Sequence, residues 1–190
     1  PDLEGWRALA KQAREAAKPV RVAVVSKYPS VPDACLSVTE AIKHAALQAG
    51  VRAVIELVDA QNVTDDTAEA LLGKHAAIVL PGGFGATGAD GMIAAARFAR
   101  ENRIPFLAIG YGMQLAVVEA ARSLLQIADA HTMEADCETK HAVVRIPEER
   151  ICQNDSRSRA RMGLSSIKLA DGMIKTLYGS DCIAERHSNR

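Results

Sequence analysis

The residues best placed for chemistry lie in a turn where an apolar run breaks into glycines. Residues 105–114 read Pro-Phe-Leu-Ala-Ile-Gly-Tyr-Gly-Met-Gln, and a helical pattern follows over residues 113–125. A strand, a sharp turn and a helix in this order form a nucleophile elbow, which exposes one side chain and leaves backbone N–H groups free for an oxyanion. Gly110 occupies the exposed position and has no side chain that could attack a carbonyl. The turn therefore predicts the frame of an acyl-transfer site without its reactive atom.

A second glycine-rich turn follows another apolar run. Residues 81–91 read Pro-Gly-Gly-Phe-Gly-Ala-Thr-Gly-Ala-Asp-Gly and contain five glycines. Glycine permits positive φ and close approach of the backbone to a ligand, and successive N–H groups can converge on a carbonyl oxygen or an anion. A flexible loop without a ligand is the alternative interpretation. The presence of the turn at Gly110 favours a ligand-binding loop.

Strand and helix patterns alternate over the first two thirds of the chain. We predict strands at residues 21–25, 53–58, 77–80 and 106–109, and helices at 38–48, 67–72, 92–100 and 113–125. A Thr or Asp is expected to cap the helix at 67–72. Near-continuous apolar strands indicate an α/β fold of three layers, a mostly parallel sheet with helices on both faces. Because ligands bind at the carboxyl ends of such strands, the two glycine-rich turns are expected side by side at one rim.

The sequence from Asp129 onward is less regular. We predict strands at residues 142–146, 165–169 and 174–178, and a polar surface loop at 151–161. The basic run at 156–161 could form a phosphate or nucleic-acid patch. Short basic runs without interleaved aromatic residues are more often solvated loops, which is the interpretation we favour.

Composition and charge exclude several classes of function. Among 190 residues, Lys plus Arg and Asp plus Glu number 23 each, so no field of one sign favours nucleic acid or a membrane surface. We find no signal peptide and no apolar run of about 18 residues. The four cysteines form no Cys-x-x-Cys pair, which favours a reducing cytoplasm over a disulfide framework or zinc site. We predict a soluble cytoplasmic protein that needs no metal or cofactor.

Five short motifs resemble those of the glutamine amidotransferase domain of CTP synthase. The family motifs are Gly-Lys-Tyr, Leu-Pro-Asp-Ala-Tyr, Pro-Gly-Gly-Phe-Gly, Gly-Ile-Cys-Leu-Gly-Met-Gln and Glu-Arg-His-Arg-His-Arg. Their counterparts here are Ser26-Lys27-Tyr28, Val31-Pro32-Asp33-Ala34-Cys35, residues 81–85, residues 108–114 and residues 185–190. The motifs fall in the same order, and the likeness runs from about Leu3 to the last residue. The resemblance implies a flavodoxin-like class I amidotransferase domain at 19–190, preceded by a linker-like helix at 1–18.

The resemblance also implies a pocket for glutamine or another small amino acid. Gly83 and the backbone N–H of Tyr111 would form the oxyanion hole. Glu134, matched through residues 131–136, would face the α-amino group, and this charge pair would select an amino acid over a plain amide. The full set implied to bind substrate is Gly82, Gly83, Phe84, Tyr111, Gln114, Glu134 and Arg186.

Four departures from the family pattern concern its chemistry. In the family an elbow cysteine attacks the glutamine amide, a His oriented by a Glu activates it, and ammonia passes to a synthetase site. Here Gly110 replaces the cysteine, and the sequence ends before a His-x-Glu segment. Ser188 replaces an Arg of the basic motif, and Tyr111 is bulkier than the family's Leu, so we expect it to intrude on the cavity. The 190 residues include no synthetase domain, and we expect a naturally divergent sequence.

Other residues could supply reactivity. Cys35 lies near the start of the helix predicted at 38–48, and a helix N-terminus favours a thiolate. Cys137 is close in sequence to Glu134. The competing interpretation of each is a small buried hydrophobic residue. Of the five histidines, His131 and His187 lie beside matched motifs and are expected to face the pocket. We expect His44, His75 and His141 to be core or surface residues.

Two classes of function follow from these residues. The first is an amidotransferase of the CTP synthase kind, or a relative with altered chemistry. The second is a module unable to hydrolyse glutamine, which binds glutamine or another amino-containing ligand, or docks on a partner enzyme. A synthetase domain is the partner that the resemblance suggests, and the oligomeric state is left open.

Overall fold

Strands and helices alternate through the first part of the computed structural model, which describes residues 3–145 and 161–189. The chain forms two compact units, Pro1–Arg145 and Ile146–Arg190, which are described separately. The first unit contains α1 Glu4–Glu15, β1 Pro19–Ser26, α2 Leu36–Gln48, β2 Arg52–Asp59, α3 Ala68–Leu72, β3 Ala77–Leu80, α4 Ala89–Glu101, β4 Phe106–Ala108, α5 Tyr111–Leu124, β5 Ala130–Thr132 and β6 His141–Val144. The second contains β7 Arg161–Lys168, α6 Met173–Tyr178 and β8 Cys182–Asn189.

The central sheet of the first unit is parallel, with strand order β2-β1-β3-β4. The chain leaves β1 toward β2 on one side and returns to β3 on the other side, so the strand order reverses between β1 and β3. Such a reversal opens a crevice at the carboxyl ends of the two strands, where ligands bind in sheets of this type. The predicted parallel α/β sheet is confirmed.

Alternation along β1 divides the core between the two faces of the sheet. Val22 and Val24 belong to a cluster with Cys35, at the start of α2, on one face. Ala23 and Val25 belong to the larger cluster that includes residues of α3, α4 and α5. Because successive strand residues point to opposite faces, one short apolar strand supports helices on both sides.

Two helix glycines allow the helices to lie against backbone. A Cβ on Gly91 of α4 would stand 1.7 Å from the carbonyl oxygen of Ala60, and a Cβ on Gly112 of α5 would stand 2.4 Å from that of Leu80. No other residue type fits either contact without movement of the backbone. Gly112 therefore lets the start of α5 approach the end of β3.

The predicted elements of the first unit agree with the structure to within a few residues. The strand predicted at 77–80 has the same bounds as β3, whereas α4 begins at Ala89 rather than at 92 and α5 begins at Tyr111 rather than at 113. Thr67 precedes α3 but does not cap it through its side chain. Its hydroxyl donates instead to the carbonyl of Asn62 at 2.7 Å.

Beyond residue 129 the sequence-based assignments hold less well. The short strand β5 at Ala130–Thr132 was not predicted, and it pairs in parallel with β6, which covers most of the strand predicted at 142–146. Residue 146 and the predicted loop as far as residue 160, with Cys152 and most of the basic run, lie outside the described residues. Arg161 begins β7 instead of ending a loop.

One strand prediction in the second unit is wrong. Residues 174–178 belong to α6, between Gly172 and Gly179, of which Gly179 adopts the left-handed conformation typical of a helix end. Ile174, Leu177 and Tyr178 have the i, i+3, i+4 spacing of one helix face, with polar Lys175 and Thr176 between them. Five residues are too few for this spacing to exclude a strand. The predicted strand at 165–169 lies largely within β7, and its antiparallel partner β8 was not predicted.

Among the described residues, no helix combines the length and the apolar character that crossing a membrane requires.

The close approach at Gly91 can be tested by Gly91→Ala. Overpacking in a core costs typically about 1–3 kcal/mol, and contact with a backbone carbonyl places this case at the upper end, so we expect a loss of about 3 kcal/mol in the free energy of unfolding. Urea denaturation followed by circular dichroism measures it. Gly5→Ala in α1 is the matched control, since its Cβ would meet nothing within 4 Å. Equal stabilities of the two variants would contradict the packing described.

Candidate functional site

Three turns meet at the carboxyl ends of β1, β3 and β4. Lys27 and Tyr28 follow β1, residues 81–85 follow β3, and Gly110 follows β4. Leu80 pairs with Ala108 across the sheet, and the N–H of Ile109 donates to the carbonyl of Leu80 at 2.9 Å. The glycine-rich loop and the Gly110 turn therefore lie side by side, as the strand pattern predicted.

Gly110 forms the sharp turn between β4 and α5. Its φ of 55° and ψ of −114° lie in a region that residues with a side chain rarely adopt. The carbonyl of Gly110 accepts from the N–H of Gln114 at 3.1 Å, so Gly110 is the N-cap of α5. The first N–H groups of a helix have no acceptor within the helix and carry partial positive charge. The turn thus has the strand–turn–helix geometry predicted from the sequence.

Side chains from two separate segments hold the peptide groups of the glycine-rich loop. The N–H of Phe84 donates to the hydroxyl oxygen of Tyr28 at 3.2 Å, and that hydroxyl donates in turn to the carbonyl of Phe84 at 3.4 Å. The N–H of Gly85 donates to Oε1 of Glu134 at 2.9 Å. The N–H groups of Phe84 and Gly85 therefore already have acceptors within the protein.

The carbonyl of Gly85 accepts two further hydrogen bonds. The hydroxyl of Tyr111 donates to it at 2.8 Å, and Lys27 Nζ is a second donor. Lys27 Nζ also lies 4.5 Å from the centroid of the Tyr111 ring, within the range of a cation–π interaction. A Cβ on Gly83 would stand 2.9 Å from Lys27 Cδ and 3.6 Å from Tyr111 Cδ1. Glycine at 83 therefore lets the loop lie directly over these two side chains.

Burial shifts the pKa values of Lys27 and Tyr111. Lys27 is 5% exposed, and burial lowers the pKa of its ammonium to about 8, although the charge of Glu134 opposes that shift. Tyr111 is 4% exposed, and burial raises the pKa of its hydroxyl, with the carboxylates of Glu134 and Asp90 acting in the same direction. At neutral pH Lys27 is thus largely charged and Tyr111 is a neutral donor.

The other residues predicted to line the pocket have distinct positions. Glu134 is half-buried in the turn after β5 and contacts the glycine-rich loop, so it is not an isolated surface carboxylate. Gln114 is half-buried in the first turns of α5. Gly82 is exposed, and the Phe84 ring is 45% exposed. The structure brings Glu134 to the loop, whereas its predicted contact with a substrate amine stays a prediction.

Tyr111 fills space beneath the loop, where a bulky side chain was expected to intrude. Its ring lies against Lys27 and close to the backbone of Gly83, and its hydroxyl reaches Gly85. The side chain therefore connects the Gly110 turn to the glycine-rich loop.

His131 lies near the start of α4. Its Nδ1 accepts from the N–H of Thr132 at 2.9 Å, and its Nε2 is 3.9 Å from Oδ1 of Asp90. Burial and the charge of Arg122 lower the pKa of His131, with burial the larger cause. The imidazole is therefore expected to be neutral at pH 7, and its role at the pocket stays a prediction.

The remaining histidines of the first unit lie away from the glycine-rich loop. His75 is buried, with Nε2 3.2 Å from Oε2 of Glu56, and exposed His141 has Nδ1 2.6 Å from Oδ1 of Asp129. His44 is exposed on α2. These positions agree with the core or surface roles expected of them.

The described cysteines differ in accessibility. Cys35 is 2% exposed, and its Sγ donates to the hydroxyl of buried Ser26 at 3.2 Å, which favours the interpretation as a small core residue. Cys137 and Cys182 are exposed. Within the described part of the chain, no three His, Cys, Asp or Glu side chains form a group that could hold a metal ion.

Arg186 and His187 lie on β8 in the second unit. Neighbouring residues of a strand point to opposite faces, so a ligand on one face of the β7–β8 ribbon contacts only one of these two side chains. His187 Nε2 lies 2.7 Å from the hydroxyl of Ser165 on β7, which places His187 on the Ser165 face. The predicted roles of both residues at the glutamine pocket stay predictions.

Sequence reasoning did not include Lys27 and Tyr28 among the site residues, although both belong to a matched motif. The signal that could have identified them is their place directly after β1, at the point where the strand order reverses.

Comparison with known proteins finds relatives of this chain. Residues 30–187 match the family described as glutamine amidotransferase class-I. The chain is 40% identical over 191 residues to CTP synthase of Lactococcus lactis subsp. cremoris (strain MG1363), covering 100% of the chain and 36% of that relative. It is 39% identical over 190 residues to CTP synthase of Geobacillus kaustophilus (strain HTA426), covering 100% of the chain and 36% of that relative. The chain thus spans little more than a third of the length of these curated relatives.

A solved structure is similar to most of the chain. The Trypanosoma brucei CTPS glutaminase domain with bound acivicin superposes with a TM-score of 0.81 at 34% sequence identity. The match covers 90% of this chain and 67% of that one.

The lowered pKa of Lys27 predicts a pH-dependent stability. Between pH 8 and 10.5 the unfolded chain binds more protons at this position than the folded chain, so the free energy of unfolding rises with pH across that window. Lys27→Met removes this contribution. From pH 8 to 9.5 the wild type should therefore gain about 1 kcal/mol relative to the variant, since one pH unit corresponds to at most about 1.4 kcal/mol for one proton.

Urea denaturation at several pH values measures this difference. Lys43→Met, at an exposed position of α2, is the matched control and should follow the wild type. A Lys27→Met curve parallel to the wild type from pH 8 to 9.5 would show that Lys27 does not titrate in this range.

Proposed function

Because the chain belongs to the glutamine amidotransferase class-I family, we propose that its glycine-lined turns bind glutamine, or a similar small amino acid, without hydrolysing it by the family's route. The observation that carries this proposal is Gly110 at the strand-to-helix turn. The family's route needs a side-chain nucleophile at this position, and glycine has none. The backbone donors around the turn do not depend on that side chain.

The N–H groups of Phe84 and Gly85 already donate to Tyr28 and Glu134. As the family resemblance implies, we assign the carbonyl of the ligand amide to the N–H groups of Gly83 and Tyr111, with Gly82 beside them. The start of α5 adds partial positive charge at the same point. In an enzyme such donors stabilise an oxyanion, and here they would hold a neutral amide or a carboxylate.

Glu134 suits the amino group of the ligand. Its carboxylate lies at the glycine-rich loop, where it accepts from the N–H of Gly85 at 2.9 Å. An ammonium group would form a charge-assisted hydrogen bond there, which favours an amino acid over a plain amide. We assign Gln114 and Phe84 to the walls of the pocket, as the family resemblance implies.

The relatives suggest a setting for this module. The CTP synthases matched are nearly three times as long as the chain, which aligns with them along its full length. We propose that a synthetase domain is the partner and that the module belongs to pyrimidine nucleotide metabolism. The cysteine pattern favours the cytoplasm as its location.

The first test of the proposal compares ammonia release from glutamine by the wild type, Gly110→Cys and Gly110→Ala. Loss of a catalytic nucleophile costs about 10⁶ in kcat, so the wild type should release no ammonia above background in an assay coupled to glutamate dehydrogenase. Gly110→Ala places a side chain at the same backbone conformation without a thiol and should be equally inactive. Robust ammonia release by the wild type would defeat the proposal, whatever the Gly110→Cys variant does.

The second test measures ligand binding through thermal unfolding. A ligand at 100 times its Kd stabilises the folded state by about 2.7 kcal/mol, so saturating glutamine should raise Tm by several degrees. Glutamate, other amino acids and acivicin, the compound bound in the trypanosomal glutaminase domain, complete the screen. No shift with any of these amino acids would contradict binding.

The role assigned to Glu134 is tested in the same screen with Glu134→Gln. The side-chain amide oxygen that this substitution introduces can still accept from the N–H of Gly85, so the Tm of the ligand-free protein should change little. The variant has no charge to pair with an ammonium group, so its apparent affinity for glutamine should fall at least about tenfold. An unchanged glutamine affinity would remove Glu134 from the site.

A further inference from the structure

Two consecutive residues of the glycine-rich loop, Phe84 and Gly85, have all four of their backbone polar atoms bonded to side chains. Tyr28 contacts both the N–H and the carbonyl of Phe84. Glu134 accepts from the N–H of Gly85, and Lys27 and Tyr111 donate to its carbonyl. Backbone groups in loops are more often satisfied by water or by other backbone groups. Four side chains from three separate segments therefore converge on one short stretch of backbone.

Side-chain packing restrains this loop at Gly83, which lies against Lys27 and Tyr111, but not at Gly82 or Gly85. A Cβ on Gly82 or on Gly85 would meet nothing within 4 Å, and Gly85 has a positive φ of 72°. Glycine loses more conformational freedom on ordering than any other residue. The conformation of the loop therefore depends largely on the hydrogen bonds to the backbone N–H and carbonyl groups of Phe84 and Gly85.

Tyr111 differs from the other three side chains in its origin. It follows Gly110 directly and begins α5, so its backbone belongs to the turn that faces the loop. Its buried ring lies under the ammonium group of Lys27, and its hydroxyl donates to the carbonyl of Gly85. One side chain thus connects the two backbone segments whose N–H groups would bind the ligand carbonyl.

We propose that Tyr111 is a positioning residue, which with Lys27 locks the loop at residues 82–85 to the Gly110 turn through the carbonyl of Gly85. The lock fixes the distance between the N–H groups of Gly83 and Tyr111. The significance of that distance for a ligand rests on the function proposed above, whereas the lock itself rests only on the contacts described.

Amide hydrogen exchange of Tyr111→Phe tests the lock directly. The variant keeps the ring and removes only the hydroxyl. One hydrogen bond contributes about 1 kcal/mol, which corresponds to about a fivefold change in an opening equilibrium, so exchange at residues 82–85 should accelerate about fivefold. Exchange in β1 and β3 should stay within about twofold of the wild type. Tyr111→Leu, which also loses the cation–π contact, should accelerate the loop further.

A matched control is available in the second unit. The hydroxyl of Tyr178 donates to Oε1 of Glu185 at 2.8 Å, so Tyr178→Phe deletes a tyrosine hydrogen bond of the same length that does not involve the glycine-rich loop. This variant should leave the exchange of residues 82–85 unchanged. Wild-type exchange at residues 82–85 in Tyr111→Phe, or an acceleration spread equally over β1, β3 and the loop, would overturn the proposal.

The part played by Lys27 is tested by a conservative rescue. Lys27→Met removes the donor and the charge and should accelerate exchange in the loop, whereas Lys27→Arg keeps both and should restore at least part of the protection. A purely structural role would give equal effects, because both replacements disturb the packing of the buried stem. Equal acceleration in the two variants would therefore exclude Lys27 from the lock.

Ligand binding separates this inference from the proposed function. If the wild type binds glutamine, Tyr111→Phe should weaken binding about fivefold while Tyr178→Phe does not, and unchanged affinity would contradict the positioning role. If the wild type binds no amino acid, the proposed function fails, and the exchange data alone decide whether the lock exists.

Discussion

The geometry of the site depends on hydrogen bonds to the backbone N–H and carbonyl of Gly85. Its N–H reaches Glu134, and its carbonyl receives Lys27 from the end of β1 and Tyr111 from the start of α5. These contacts join the sheet, the turn after β4 and the segment after β5. Since Gly82 and Gly85 have no side chain to pack, the surrounding polar groups largely determine the conformation of the loop. The cost of burying Lys27, seen in its lowered pKa, is part of that arrangement.

The Gly110 turn has the backbone of a nucleophile elbow without the reactive side chain. A nucleophile elbow combines backbone donors with a reactive side chain, and the donors come from the start of a helix rather than from the side chain. Gly110 retains the positive φ of such a turn, which costs glycine little. In the function proposed above, donors that would stabilise an oxyanion during a reaction act on a bound ligand alone. Interactions that are equal in the ground and transition states give affinity without rate.

The parts of the fold that could be predicted are those with a local signal. The apolar strand at 77–80 and the alternation of strands with helices follow from residue pattern, and so does the adjacency of the two glycine-rich turns. The helix at Met173–Tyr178 was mistaken for a strand because five residues do not define a period. The strand β8 was missed because most of its residues are polar and α6 separates it from its partner β7. Lys27 was missed as a site residue since its burial under the loop depends on contacts distant in sequence.

By itself, the sequence determined the class of fold, the two glycine-rich turns and the lack of a side chain at position 110. These are local properties, because strand pattern, glycine content and residue identity need no knowledge of neighbours. Only the tertiary structure decided that Glu134 contacts the loop, that Tyr111 connects the loop to the turn and that Lys27 is buried beside them. Those facts depend on strand order and on the close approach at Gly112, which bring residues far apart in the chain within hydrogen-bonding distance.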